Sequence, residues 1–105
     1  MSTTLQLASL IVSRAMPRHR EPNLPDEALN YNREEIAKFT WIRELMLEHG
    51  CSRNYLHHLD VVLDLHKTVI RLGRLPMSHE HLVAMLRAAN EIRIVTAELE
   101  RLPHN

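Results

Sequence analysis

Glycine, cysteine and aromatic residues are all scarce in this chain: two glycines, one cysteine and an aromatic share of 4% among 105 residues. With so little glycine and so few strand-favouring aromatics, the composition points to helices. A single thiol, Cys51, excludes an intrachain disulfide and fits a reducing compartment. An excess of charge is missing too, because thirteen basic residues balance thirteen acidic ones. The global positive field on which non-specific nucleic-acid binding depends is therefore absent, leaving at most a local basic patch. The apolar run from Leu5 to Val12 is too short and interrupted to span a bilayer, and no basic region precedes it as in a signal peptide. The expectation is a cytosolic protein with no membrane association.

What is present is an ordinary globular mixture, 45% apolar and 25% charged, in a length that can bury one core. Residues 1–105 are read as a single domain. The stretch from Ser52 to Gly73 organises it. At about 100° per residue, Arg53, His57, Asp60, Asp64, Lys67 and Arg71 fall on one narrow stripe. Leu56, Leu59, Val61, Val62, Leu63, Leu65, Val69, Ile70 and Leu72 fill the remaining arc, wider than a surface helix needs. This helix is expected to be central.

In chain order, residues 1–16 carry a first helix, LQLASLIVSRAM, with Leu5, Leu7, Ala8, Ile11, Val12 and Ala15 loosely on one side. A proline-rich linker, 17–31, follows, in which Pro17, Pro22 and Pro25 disfavour helix and Pro25, Asp26 and Glu27 could open a short turn. A second helix is expected to start at Asn32, since Glu35 stands three residues on and can complete a capping box. It offers Ile36, Phe39, Trp41, Ile42, Leu45, Met46 and Leu47 for burial and ends at Gly50. The third helix runs from Ser52 to a stop at Gly73. Ser78 caps a fourth, with Leu82, Met85, Leu86, Ala89, Ile92, Val95, Leu99 and Leu102 on one face. The reading is all-α: a four-helix up-and-down bundle or a related small helical domain, with 32–102 as its three-helix core. Val83 and Ile94, outside the main stripe, and the wide apolar arc of the third helix suit self-association into a homodimer.

Around Gly50 the sequence LMLEHGCSRNYLHHL resembles the helix-turn-helix of DNA-binding regulators, with Gly50 at the turn, Ser52 capping, and Leu56 and Leu59 inward. The resemblance implies that residues 53–59 open a recognition helix whose Arg53, Asn54, His57 and His58 point outward, and arginine and asparagine suit guanine and adenine edges. The alternative is a plain helical hairpin, which turns with the same glycine and serine signals. Met46 and His49 stand where that family carries a small residue and an apolar one.

Eight histidines invite a metal reading. His57 and Asp60 share a face, as do Asp60 and Asp64, and His79 neighbours His81, but no HExxH spacing or cysteine pair occurs, so a solvated stripe with a local Asp64–Lys67 ion pair is the preferred account. His66, near the middle of the apolar arc, reads as a neutral histidine hydrogen-bonded across the bundle rather than as a phosphoacceptor or pH switch. Cys51 near His49 lacks a third orienting group and reads as a packing cysteine. With no catalytic residues, cofactor site or metal site identified, the sequence is read as a small non-enzymatic regulatory or adaptor module that binds another protein. DNA binding through Arg53, Asn54, His57 and His58 is the second reading.

Overall fold

The computed structural model describes residues 22–103. They form three α-helices, α1 (Asp26–His49), α2 (Arg53–Arg74) and α3 (His79–Arg101). Among the described residues there is no strand, and only an isolated bridge pairs Pro22 with Pro76. The described residues are all-α, and their three helices correspond to the second, third and fourth of the sequence reading. The segment read as the first helix, 1–16, and residues 17–21 of the linker lie outside the described residues.

α1 begins six residues earlier than the capping-box reading places it. Pro25 occupies the N-cap position in extended conformation, and Asp26 and Glu27 set two carboxylates against the positive end of the helix. Residues 26–31 of the stretch read as linker are therefore helical. Asn32 caps nothing: it lies inside α1, fully buried, and its Nδ2 donates to the Ala28 carbonyl at 2.7 Å. At the other end Gly50 takes φ 83°, the left-handed region that a side chain would resist, and stops the helix as expected.

Ser52 then caps α2 by accepting the Tyr55 amide at 3.1 Å. The polar stripe of α2, Arg53, His57, Asp60, Asp64, Lys67 and Arg71, is exposed along its whole length. Leu59, Val62, Leu63, Val69 and Leu72 are buried, each stabilising the fold by about 1.5–3 kcal/mol relative to exposure. Contacts to α1 descend in order, Leu29 against Gly73, Asn32 against His66 and Arg43 against Asp60, so the two helices lie antiparallel along their length. α3 packs on another side of α2 through Leu82, Met85, Ile92, Val95 and Leu99. No Cα atom of α1 lies within 8 Å of one of α3, so α2 is the central element.

Gly73 does not stop α2. The helix runs one residue further to Arg74 and is closed by Leu75, whose amide donates to the Leu72 carbonyl. Gly73 is needed for a different reason: a Cβ there would come to 2.8 Å from Leu24 Cδ1 and 3.1 Å from Leu29 Cδ2. The entering chain is held at this point. Leu24 N donates to Gly73 O at 3.1 Å and Asn23 N to Leu75 O at 3.0 Å, while the buried Asn23 side chain donates to Leu72 O and accepts the Ser78 amide, both at 3.0 Å. One asparagine thus satisfies groups at the end of α2 and just before α3.

Candidate functional site: a buried histidine, a groove and an exposed tryptophan

His66 sits at the centre of the fold, 1% exposed. Asn32, whose amide nitrogen is committed to Ala28, turns its Oδ1 to His66 Nδ1 at 2.7 Å. A carbonyl oxygen only accepts, so Nδ1 carries the proton and Nε2 presents a bare lone pair. That lone pair is buried and meets no donor among the described residues. The ring lies nearly parallel to Phe39, centroids 6.0 Å apart. Burial drives its pKa down to about 4; Glu35 opposes this shift and Lys38 adds to it. The histidine is neutral near pH 7.

His66 also lines a groove between α1 and α3 of roughly 700 Å³, whose walls include Tyr31 and Glu35 on α1 and Ile92, Thr96 and Arg101 on α3. A second hollow of roughly 320 Å³, bounded by Lys38, Phe39, Ile42 and Leu99, shares Thr96 and Glu100 with it and prolongs it. Tyr31 is pushed above the usual phenol range by burial and, less strongly, by Glu35.

Trp41 is the chief departure from the expected core. It is 61% exposed and stands on the side of α1 opposite buried Phe39, with exposed Ala37, Lys38, Glu44 and Glu48 and half-buried Leu45 one or two turns away along the helix. Leu47, also expected inside, is 52% exposed. Ile36, Phe39, Ile42 and Met46 already fill the face of α1 that meets the core, leaving no buried position for either residue. On α3, Ile94 is exposed and Val83 half-buried.

Arg53, Asn54 and His57 are exposed in the first turns of α2, whereas His58 is half-buried and its Nδ1 lies 2.8 Å from the Asn54 carbonyl. His57 and His58 meet edge to face at 5.7 Å. Asp60, one turn on, accepts from Arg43 Nε at 2.6 Å and brings negative charge to the same side. The anticipated Asp64–Lys67 pair is not among the ion pairs of the described residues; those are Glu35–Lys38, Arg43–Asp60 and Glu98–Arg101. Cys51 is half-buried against the core. No group of three or more histidine, cysteine, aspartate or glutamate side chains able to hold a metal occurs among the described residues, and none of their helices is long and apolar enough to cross a membrane. No protein-family model matches the sequence, and comparisons with curated proteins and with solved structures return no match.

Proposed function

We propose that this chain is a small non-enzymatic adaptor or regulatory module, built as a four-helix up-and-down bundle, that acts by binding another protein through the outer face of α1. The observation that carries this reading is Trp41, a large side chain held in solvent by a well-packed helix. Tryptophan is enriched among residues that dominate protein–protein binding energy, because it buries much area at little conformational cost. Around it exposed Glu34, Glu44 and Glu48 outnumber exposed Lys38, so the complementary partner surface is an apolar pocket with a mainly basic rim. A cytosolic location and self-association belong to the same reading, the latter tested by sedimentation at several concentrations.

A second reading, a DNA-binding regulator, is favoured by the exposure of Arg53, Asn54 and His57 at the start of α2. The two are separated by a tagged pull-down from the native host, with and without nuclease. The adaptor reading expects a stoichiometric protein that survives nuclease, is lost in Trp41→Ala and is kept in Arg53→Ala. Recovery of particular DNA fragments, released at high salt and lost in Arg53→Ala, would replace it.

A further inference from the structure

We infer that the partner docks on α1 as a basic amphipathic helix, lying lengthwise along the ridge from Glu34 to Glu48. This rests on the adaptor reading above and goes further, naming the class of partner element and its line of contact. Glu34, Lys38, Trp41, Leu45 and Glu48 follow one another at steps of four, three, four and three residues, the spacing that keeps a seam along one side of a helix. All five lie away from the buried face of α1 and are exposed, save half-buried Leu45. The seam runs for about 21 Å, roughly four turns, and Gly50 ends α1 just beyond it. A facing helix can follow such a line along its length, with Trp41 and Leu45 as knobs entering holes between its side chains. The described residues contain no strand whose edge a partner could extend, and helix against helix is the mode that the seam suits.

The chemistry of the occupant follows from the charges and from the apolar surface beside the seam. Ile42, half-buried next to Trp41, also bounds the hollow that Phe39 and Leu99 line, so apolar surface continues from the seam towards α3. Lys38 Nζ is committed to Glu35 Oε1 at 3.0 Å and stands 4.8 Å from the centre of the Phe39 ring, so its charge is offset within α1. Glu34, Glu44 and Glu48 join no ion pair among the described residues. Negative charge therefore brackets Trp41 and Leu45, from Glu34 and Glu48 at the two ends and from Glu44 on the flank. The matching helix carries large aliphatic residues on its central stripe and lysine or arginine on the stripes beside it, where they meet the glutamates. An acidic helix would set like charges together, and a second copy of α1 would do the same with its own Glu34, Glu44 and Glu48.

Trp41 is the only tryptophan of the chain, so its own emission reports the contact. The probes are synthetic helix-forming peptides of about five turns, titrated into the full chain at low salt. One has a leucine stripe flanked by lysines, a second has the same stripe flanked by glutamates, and a third has the composition of the first in scrambled order. The lysine peptide should move the Trp41 emission to shorter wavelength and bind about ten-fold more tightly than either of the others. Its affinity, followed by calorimetry, should fall about ten-fold or more in Trp41→Ala and stay unchanged in Ile94→Ala, an exposed apolar residue on α3. With Glu34→Lys, Glu44→Lys and Glu48→Lys together, all at exposed positions, the preference should reverse in favour of the glutamate peptide. No binding of the lysine peptide, binding without a change in emission, or a preference that these substitutions leave untouched would overturn the inference. The adaptor reading fails separately, when no protein is captured at position 41. A captured protein whose adduct maps to a segment other than a basic helix keeps that reading and overturns this one.

Discussion

Asn32 of α1 accepts the Nδ1 proton of His66 of α2 at 2.7 Å, and this buried contact fixes the helix register and the imidazole tautomer together. A one-residue slip between the helices would separate the pair and leave polar groups unsatisfied in an apolar interior, at about 1–3 kcal/mol each. The contact therefore specifies one alignment among several that the apolar residues alone would tolerate.

The first prediction concerns pH. His66 has a folded pKa of about 4 against an ordinary value of 6.5, so between these values the unfolded chain binds more protons than the folded one. The associated stability is fully present above pH 6.5 and is lost as pH falls towards 4, amounting to about 3 kcal/mol across the window. Urea unfolding at pH 7 and pH 5 should show the loss, and His66→Gln should show a smaller one. An identical pH dependence in the two proteins would contradict the assignment.

A second prediction concerns the pair itself. Asn32→Leu alone leaves the His66 Nδ1–H without its acceptor and should cost about 1–3 kcal/mol, whereas Asn32→Leu with His66→Leu should recover part of the loss because both polar groups are gone. Denaturant midpoints of the four proteins give the coupling directly. Additive losses would show that the two side chains do not act as a unit.

Gly73→Ala supplies a third. In an unconstrained helix, alanine is favoured over glycine by about 1 kcal/mol. Here the new methyl meets Leu24, itself fully buried and unable to swing into solvent, so the substitution should instead lower stability by about 1–3 kcal/mol. Pairing it with Leu24→Ala should relieve the clash. At Gly50, where φ is 83° and nothing lies within 4 Å of the place a Cβ would occupy, the cost of alanine arises from the backbone alone.

Much of this architecture can be read from local sequence. The exposed stripe of α2 and the buried face of α3 follow from helical periodicity, and the Ser52 and Ser78 caps from their position before apolar runs. What local sequence hides depends on residues far apart in the chain. Asn32 has Glu35 at capping-box spacing, but the residue that determines its role, His66, is 34 positions away. Gly73 looks like a helix stop, and only its approach to Leu24 reveals a packing requirement. Asn23, in a proline-rich stretch, gives no local sign that it will join the ends of two helices. Trp41 reads as an interior residue because large apolar side chains usually belong there. Its position opposite Phe39 on α1, recognisable once Ile36, Phe39 and Ile42 define the buried face, is the signal that places it outside.

Trp41 also provides the most direct test of the proposed function. With 61% of the residue exposed, Trp41→Ala should change folding stability by no more than about 0.5 kcal/mol, so an effect on binding can be separated from an effect on the fold. The decisive measurement is photo-cross-linking in the native host from a benzophenone amino acid placed at position 41, compared with the same probe at position 53. A single protein adduct of discrete mass from position 41, absent from position 53, is the predicted result. No protein adduct from position 41, together with nucleic acid captured from position 53, would contradict the adaptor reading and establish the start of α2 as the working surface.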